Sequence, residues 1–338
     1  MSAAESSARV VITDCNHDNI DPEKKVLAEA GIGVRLAQCK TASDVIEHAR
    51  DAEAIITQYV PVDDSVLAAL QRCRLVVRYG VGFDTIDVEA ASRRGVWVAN
   101  VPDYGVEEVS DHALALALNL LRGIHRLDRA IRSGTWSVKV VRPLRRVRGL
   151  TLGVIGCGRI GSALARKASR LGLRVISFDK VPLPEDLVNE GVEPAGFDEL
   201  LSSSDVVSLH VPLNEETRHM IGVEQLRRMK PGAYLVNTAR GAVVDPAALL
   251  RALDERGISG AALDVLETEP PDENDPLLSH DRVLLTPHAA WYSEESYATL
   301  KTEAAREVVR VLSGKRPRSP VNEPDLKGPG GEREASPD

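Results

Sequence analysis

The sequence predicts an α/β protein with two domains, each built on a doubly wound parallel sheet. Short β-rich runs alternate with helical runs from Arg9 onward, and this alternation is typical of βαβ units. The chain has 338 residues, more than the roughly 250 to 300 at which a single core usually stops growing. A glycine-rich turn between a strand-like run and a helical run comes only at residues 149–161, after a full set of alternating elements.

The first hundred residues contain the elements of one α/β domain. Short apolar runs predict buried strands, and apolar residues that recur every three or four positions predict helices. Residues 1–8 are small and polar, so we expect them to be flexible. Predicted strands cover residues 10–13, 34–37, 54–57, 75–77 and 96–99, and predicted helices cover 22–30, 43–49, 63–70 and 87–94.

A long helix is predicted over residues 107–124. Leu114, Leu118 and Leu121 lie on one face of this helix, and Leu120 widens the apolar surface. Such a broad apolar surface indicates burial between domains or between subunits.

The second half of the chain contains the elements of another α/β domain. A final helix over residues 293–312 has the length to return to the first domain, and the chain then turns to Pro, Gly and charged residues, for which we expect a flexible tail. Predicted strands cover residues 152–155, 174–179, 206–210, 233–237, 260–264 and 283–286, and predicted helices cover 160–171, 223–229 and 246–255.

The glycine-rich turn has the pattern G-x-G-x-x-G at Gly156, Gly158 and Gly161. Alone this pattern is weak, because glycine suits any tight turn. Here a strand-like run precedes it, a helical run follows, and Asp179 lies 23 residues after Gly156, near the spacing of about 20 at which a carboxylate binds an adenosine ribose. The context predicts a dinucleotide site, and the carboxylate of Asp179 favours NAD over NADP.

Composition excludes several other classes of function. The chain is 43% hydrophobic and 27% charged, with a net charge of -8, which disfavours direct nucleic-acid binding. Its four cysteines lack metal-site spacing, so we expect no metal, and no N-terminal segment resembles a secretory signal. No apolar run reaches the roughly 18 residues of a membrane span. We expect a cytoplasmic protein with no membrane partner.

Three polar residues follow predicted strands, where α/β sheets present their ligands. Arg240 carries a planar fork that suits a carboxylate, although it could equally pair with an Asp. His288 alone is more often structural than catalytic. Glu269 is one of two nearby glutamates, with Glu267, and either one would usually be a solvated charge. The sequence does not show whether the three side chains converge.

These segments carry a resemblance to a known family. The chain resembles the D-isomer-specific 2-hydroxyacid dehydrogenases over about residues 9–315, and within that family it looks most like the C-terminal-binding-protein branch, whose animal members are transcriptional corepressors. The resemblance rests on the glycine-rich turn together with Arg78-Tyr-Gly-Val-Gly82, Leu235-Val-Asn-Thr-Ala-Arg-Gly241, Ala262-Leu-Asp-Val-Leu-Glu-Thr-Glu-Pro270 and Pro287-His-Ala-Ala-Trp291.

The resemblance implies a two-domain architecture. A flavodoxin-like substrate domain would comprise residues 9–102 and 292–315, and a Rossmann NAD-binding domain would comprise residues 103–291. The active site would lie in the cleft between them, with residues 1–8 and 316–338 as flexible tails. The family is usually dimeric, so we expect a homodimer, with the helix over 107–124 as the candidate interface.

The resemblance also implies a role for each site residue. Arg240 would bind the substrate carboxylate, His288 would exchange a proton as the nicotinamide exchanges hydride, and Glu269 would orient His288 and favour its protonated ring. Substrate contacts would come from Tyr79, Gly80, Val81, Gly82, Arg240 and Trp291, with core packing as an even alternative for Trp291. Cofactor contacts would come from Ile155, Gly156, Gly158, Arg159, Ile160, Gly161, Asp179, His210, Val211, Pro212, Thr238, Ala239, Arg240, Asp264 and His288.

The leading hypothesis is therefore an NAD-dependent enzyme that interconverts a small D-2-hydroxy acid and its 2-oxo acid. One alternative is an NAD(H)-responsive, corepressor-like binding protein with weak turnover. Another is a phosphoglycerate-type dehydrogenase. A basic residue is absent from the loop after residues 54–57, which weakens that alternative, whereas Arg78 keeps it open.

Overall fold

The computed structural model describes residues 9–17 and 19–324, which divide into two compact units. The first unit comprises the described residues of Met1–Gly105 and Ser293–Asp338, and the second comprises Val106–Tyr292. Each unit contains one parallel sheet, so the predicted α/β fold with two parallel sheets is confirmed. Two segments for which we expect flexibility, residues 1–8 and 325–338, lie outside the described part of the chain.

The first unit is built on five parallel strands. They are β1 (Val10–Ile12), β2 (Val34–Leu36), β3 (Ala54–Thr57), β4 (Leu75–Arg78) and β5 (Trp97–Ala99), which alternate with α1 (Asp21–Glu29), α2 (Ala42–Ala49), α3 (Asp64–Ala69) and α4 (Val88–Arg93). The sheet order is β2-β1-β3-β4-β5, so the direction of winding reverses between β1 and β3. Every residue of β1, β3 and β4 is buried, which explains why these strands read as continuous apolar runs.

Short polar side chains begin three of these helices. Thr41 forms a capping box with Asp44 at the start of α2, Asp63 accepts a hydrogen bond from the first turn of α3, and Asp87 does the same for α4. Each such cap satisfies a backbone N–H that the helix itself leaves unpaired, and contributes about 1 kcal/mol.

The second unit is built on seven parallel strands. Its chain begins with α5 (Val106–Arg122) and α6 (Ile124–Arg132), and the sheet order is β12-β11-β10-β9-β6-β7-β8, the doubly wound order expected for a dinucleotide domain. The strands are β6 (Thr151–Ile155), β7 (Arg174–Phe178), β8 (Glu193–Pro194), β9 (Val206–Leu209), β10 (Tyr234–Asn237), β11 (Gly260–Leu263) and β12 (Val283–Leu285). The helices between them are α7 (Arg159–Arg170), α8 (Glu185–Asn189), α9 (Phe197–Ser203), α10 (Val223–Arg228), α11 (Pro246–Asp254) and α12 (Pro276–Ser279).

The predicted helix over residues 107–124 differs from the structure in its end and its surroundings. It ends at Arg122, because Gly123 adopts a positive φ of 62° and α6 then starts in a new direction. The buried side chains of α5, among them Leu116 and Leu120, join the core formed by β6 and α7 of the second unit. The buried residues of α5 thus belong to the core of their own unit, whereas Leu114 and Leu118 are only partly buried, and the homodimer interface on this helix stays a prediction.

The chain returns to the first unit through α13 (Glu294–Leu312), which packs on α1, β3 and β4. Residues 316–324, for which we expected flexibility, continue as ordered chain beside β5. Pro320 bridges Ala99, and Asn322 accepts a hydrogen bond from the Val98 N–H at 2.8 Å and donates to Val96 O at 3.0 Å. The Pro-rich composition of this segment did not predict the pairing. β5 is an edge strand, and its free backbone groups can pair with any extended segment.

Candidate active site

Each glycine of the G-x-G-x-x-G turn between β6 and α7 has a distinct environment. A Cβ on Gly156 would lie 2.8 Å from the carbonyl carbon of His210, and a Cβ on Gly161 would lie 1.9 Å from Gly156 O. These two glycines permit close packing of backbone on backbone. A Cβ on Gly158 would meet nothing within 4 Å, so this glycine faces open space, where a phosphate can approach the chain.

The N-terminus of α7 offers donors to an anion. Among the described residues, the N–H groups of Ile160 and Gly161 have no hydrogen-bond acceptor, and the helix dipole adds partial positive charge. Asp179 follows β7 directly and accepts a hydrogen bond from the Cys157 N–H at 2.6 Å. A carboxylate has further acceptor positions, so Asp179 can still bind ribose hydroxyls.

Two further polar residues follow β9 and β10, the next strands of the same sheet. His210 follows β9, and burial lowers the pKa of its ring to about 4, so the ring is neutral at pH 7. The buried hydroxyl of Thr238, just after β10, has no hydrogen-bond partner in the described part of the chain. An orphaned buried hydroxyl is costly, and a polar group of a bound ligand would satisfy it.

Arg240 lies in a tight turn that Asn237 organises. The Asn237 side chain accepts a hydrogen bond from the Ala239 N–H at 3.0 Å and donates to Arg240 O at 2.8 Å, and Arg240 Nη1 donates to Ala239 O at 2.8 Å. These bonds fix the backbone and one guanidinium nitrogen of Arg240, which is partly buried.

Gly241 connects this turn to the segment that carries Glu269. A Cβ on Gly241 would lie 1.9 Å from the carbonyl carbon of Leu266, so only glycine allows the two backbones to come this close. The Leu266 N–H in turn donates to Glu269 Oε1 at 2.9 Å. The close contact between the backbones of Gly241 and Leu266, together with the hydrogen bond from Leu266 to Glu269, therefore fixes the position of Glu269 relative to the Arg240 turn.

Glu269 and His288 form a direct hydrogen bond, with 2.6 Å between Glu269 Oε2 and His288 Nδ1. Burial raises the pKa of the Glu269 carboxyl, but the hydrogen bond and charge of His288, the Leu266 N–H and the charge of Arg240 together lower that pKa below its usual value. Glu269 is thus a carboxylate at pH 7. It fixes the His288 ring and stabilises the ring when it is protonated.

His288 is held in an uncommon backbone conformation, with φ at 53°. Asp264 maintains it: the His288 N–H donates to Asp264 O at 2.7 Å, and the Asp264 carboxylate accepts from the N–H groups of Ala289 and Ala290 at 2.9 and 3.0 Å. The Thr286 hydroxyl donates to the same carboxylate at 2.6 Å. Asp264, expected only as a cofactor contact, therefore also holds the loop that presents His288.

Sequence reasoning did not identify His112 as a member of this network. His112 lies on α5, and its Nε2 is 3.0 Å from the Thr286 hydroxyl. A single histidine within a long apolar helix gives little signal in the sequence, although a polar residue on a buried helix face usually has a partner.

The two neighbouring glutamates, Glu267 and Glu269, have different hydrogen-bond partners. Glu267 binds Arg218 Nη2 at 2.7 Å and His219 Nε2 at 3.0 Å, whereas Glu269 binds His288. The structure therefore brings Glu269 and His288 together and gives Glu267 a different contact.

The segment Tyr79–Gly82 follows β4 in the first unit. Tyr79, expected as a substrate contact, is only 2% exposed, and its hydroxyl donates to Glu23, so its side chain packs into the core of the unit. Val101 N–H binds Gly80 O at 3.0 Å, and Asn100 Nδ2 binds Val81 O at 2.6 Å. The N–H groups of residues 80–82 have no acceptor among the described residues, so they can face an anion.

Trp291 stacks edge-to-face on Tyr292 at a ring-centroid distance of 5.6 Å. Trp291 is partly buried and Tyr292 is 53% exposed. A purely core position for Trp291 is therefore excluded.

Comparison with known proteins gives a consistent family. Residues 114–290 match the family described as D-isomer specific 2-hydroxyacid dehydrogenase, NAD binding domain. The chain is 44% identical over 289 residues to a glyoxylate reductase of Korarchaeum cryptofilum, covering 84% of this chain and 86% of the relative. It is 37% identical over 298 residues to a D-3-phosphoglycerate dehydrogenase of Archaeoglobus fulgidus, covering 88% of this chain but 56% of that relative.

A solved structure of D-lactate dehydrogenase from Aquifex aeolicus, complexed with NAD and lactic acid, is similar along nearly the whole chain. It superposes with a TM-score of 0.85 at 32% identity, covering 94% of this chain and all of the other.

The second unit has the features that NAD requires: an open glycine before a helix N-terminus with unpaired N–H groups, a carboxylate after the next strand, and a buried hydroxyl without a partner after β10. No helix in the described residues is both long and apolar enough to span a membrane. The fold, the matched family and the relatives agree, and the chain belongs to the D-isomer specific 2-hydroxyacid dehydrogenase family of NAD-dependent oxidoreductases.

Proposed function

We propose that this protein reduces a small 2-oxo acid to the D-2-hydroxy acid with NADH, and that glyoxylate is the first substrate to test. The observation that carries the proposal is the 2.6 Å hydrogen bond between Glu269 and His288. It leaves Nε2 of the ring available as a proton donor, which is the group that carbonyl reduction needs. The glyoxylate reductase relative supports the choice of substrate.

Bound NADH supplies the hydride that adds to the carbonyl carbon. His288 Nε2 donates the proton to the carbonyl oxygen, and the carboxylate of Glu269 stabilises the positive ring before this transfer. In the oxidative direction the neutral ring accepts the hydroxyl proton. Asp264 and Glu269 hold the ring in one orientation, so less entropy is lost in reaching the reactive geometry, both in reduction and in oxidation.

Arg240 binds the substrate carboxylate in this proposal. Its guanidinium presents paired donors to two carboxylate oxygens, and its positive charge polarises the adjacent carbonyl. The N–H groups of Gly80, Val81 and Gly82 would provide further donors to the same carboxylate, and Trp291 would border the substrate.

The cofactor residues divide by the part of NAD that they would contact. Gly158, Ile160 and Gly161 would bind the pyrophosphate, and Asp179 the adenosine ribose. The Thr238 hydroxyl would bind a polar group of the cofactor, and the other predicted cofactor residues would complete the site. Lys180 pairs with Glu216, so its charge is engaged and offers little attraction to a 2′-phosphate.

The proposed substrate is unphosphorylated. The residues that follow β3, Gln58 and Tyr59, offer no positive charge to a phosphate, and Arg78 is 9% exposed. The match to the phosphoglycerate dehydrogenase covers only 56% of that relative's length. These observations favour a short, uncharged side chain on the 2-oxo acid.

The corepressor-like alternative receives no support from the relatives described above, which are named as reductases and dehydrogenases. The intact pair of Glu269 and His288 also favours an enzyme over a binding protein that uses the same fold.

A substrate panel tests the proposal. Loss of NADH absorbance is measured with glyoxylate, pyruvate, hydroxypyruvate and 3-phosphohydroxypyruvate, while NADH affinity is measured by fluorescence. We expect glyoxylate or another unphosphorylated acid to give the highest kcat/KM. The proposal is wrong if NADH binds and no 2-oxo acid is reduced, and the phosphoglycerate-type alternative replaces it if the phosphorylated acid is preferred.

A further inference from the structure

Two ionisable side chains are completely buried in the core of the first unit. Glu23 on α1 and Lys301 on α13 are both 0% exposed, and Lys301 Nζ lies 3.0 Å from Glu23 Oε1. Neither side chain has a role in the reaction described above, and neither was singled out from the sequence.

This buried pair is costly for the fold. Removing two charges from water costs several kcal/mol per ion in proteins, and an apolar pair of similar volume is often as stable or more stable. Lys301 Nζ also donates to Asn19 O at 2.6 Å, but Glu23 Oε2 is buried without a hydrogen-bond partner among the described residues. Stability alone therefore does not account for a charged pair at this position.

The pair connects to the predicted substrate loop through one side chain. The Tyr79 hydroxyl donates to Glu23 Oε1, the same oxygen that binds Lys301. Burial, and then the charge of Glu23, raise the pKa of Tyr79 well above its ordinary value, so the phenol stays a neutral donor. Lys301 Nζ also lies 5.8 Å from the centroid of the Tyr79 ring. The side chain of Tyr79 is thus held at its hydroxyl and at its ring. Its backbone N–H donates separately to Thr57 O at 2.9 Å.

Tyr79 directly precedes the loop whose amides have no described acceptor. Gly80 has a φ of 128°, and a Cβ there would lie 1.9 Å from Arg78 Nη1, so the chain turns sharply at this residue. Because Tyr79 and Gly80 are joined by a peptide bond, a displacement of Tyr79 also moves Gly80 and changes the direction of the following N–H groups. Donors aimed at a substrate must be held within about 0.5 Å to be effective.

We propose that Glu23 and Lys301 are positioning residues that hold the phenol of Tyr79, and through it aim the N–H groups of the Gly80–Gly82 loop at the carboxylate of the 2-oxo acid. This inference rests on the proposed function. Glu23 supplies the acceptor for the phenol, and Lys301 holds the Glu23 carboxylate in place through the ion pair. The tyrosine acts through its backbone, which explains why its side chain faces the core.

Tyr79→Phe removes only the hydroxyl and is the simplest test. We expect the KM for glyoxylate to rise about tenfold, or about 1.4 kcal/mol, with kcat changed less than about twofold and NADH affinity unchanged. Lys24→Met, an exposed change next to Glu23 on the same helix, is the matched control and should leave all three quantities unchanged.

Two double variants separate positioning from packing. Glu23→Gln with Lys301→Met removes both charges but keeps an oxygen acceptor for the phenol, whereas Glu23→Leu with Lys301→Met removes the acceptor as well. We expect the first to retain a KM within about threefold of wild type and the second to raise it about tenfold, at similar melting temperatures. Equal KM values in the two double variants would show a structural role only and overturn the proposal.

Hydrogen exchange provides a readout that does not need turnover. We expect the amides of Tyr79 and Val101, which donate to Thr57 O and to Gly80 O and so hold the loop at both sides, to exchange faster in Tyr79→Phe than in wild type, with the exchange of β6 and α7 unchanged. Unchanged exchange at these two amides would overturn the positioning role even if no 2-oxo acid is a substrate. Absence of turnover in wild type, with faster exchange of these amides in the variant, would instead refute the proposed function alone.

Discussion

His288 depends on two carboxylates for different purposes. Asp264 holds the backbone of its loop, and Glu269 holds its ring through Nδ1. From the sequence, the family resemblance selected Glu269 over Glu267, and the structure places only Glu269 against the histidine. The link of His112 to Thr286 could not be predicted, because it depends on how distant segments meet. The bond between Arg240 Nη1 and Ala239 O depends on the side-chain conformation within a local turn, which the sequence does not show either.

Glu269→Gln tests the electrostatic part of this arrangement. The pKa of Glu269 lies below its ordinary 4.5, so its negative charge is fully present at pH 7 and is lost only as the pH falls through that lowered value. Without this charge the protonated ring of His288 is less favoured. We therefore expect kcat for reduction at pH 7 to fall about tenfold or more in Glu269→Gln, measured as a profile of kcat against pH.

Glu267→Gln is the matched control for this pH profile, because Glu267 contacts Arg218 and His219 instead of His288. Equal kcat values in wild type and Glu269→Gln at pH 7 would contradict the assigned role of Glu269.

At the scale of elements, the strands were the most predictable part of the fold. The apolar runs of β3 and β6 were found within one residue of their bounds, because buried parallel strands are apolar on both faces. Short or polar elements such as α8, β8 and α12 were missed, since they carry too few apolar residues to show a period. The break after α5 depends on the conformation of Gly123, which composition does not reveal.

The turn between β6 and α7 allows cofactor binding and helix packing to be tested separately. Gly158→Ala adds a methyl group in open space, so we expect weaker NADH binding with an unchanged melting temperature. Gly161→Ala places a Cβ 1.9 Å from Gly156 O, so we expect loss of about 1 to 3 kcal/mol of folding free energy.

Calorimetric melting and fluorescence titration of NADH check this pair of predictions. Gly232→Ala, at an exposed glycine with no neighbour within 4 Å, is the control for both variants. A melting temperature that falls equally in Gly158→Ala and Gly161→Ala would contradict the assignment of Gly158 to the ligand.

At the scale of the whole molecule, the sequence predicted two parallel sheets correctly, and the homodimer interface on α5 stays a prediction. The buried face of α5 belongs to its own unit, whereas Ile131 on α6 and the nearby Trp136 and Val138 are 48%, 87% and 56% exposed. Large apolar side chains exposed together usually mark an interaction surface. This exposed surface is a second candidate, beside α5, for the interface of the expected homodimer.

Trp136→Asp tests the homodimer. A charge in an apolar interface is unfavourable, so we expect light scattering to show a dimer for wild type and a larger monomer fraction for the variant at the same concentration. Leu171→Asp, at an exposed residue of the same unit, should leave the mass unchanged. A monomeric wild-type protein would contradict the expected homodimer.

The central claim is that His288, oriented by Glu269, donates the proton when NADH reduces a 2-oxo acid. The most direct test measures kcat/KM for glyoxylate reduction by wild type and His288→Asn, with NADH affinity measured on the same samples. The account predicts that His288→Asn loses about 10²- to 10⁴-fold in kcat/KM while its affinity for NADH stays within about twofold. Turnover in His288→Asn close to that of wild type, or a loss that only follows weaker NADH binding, would contradict it.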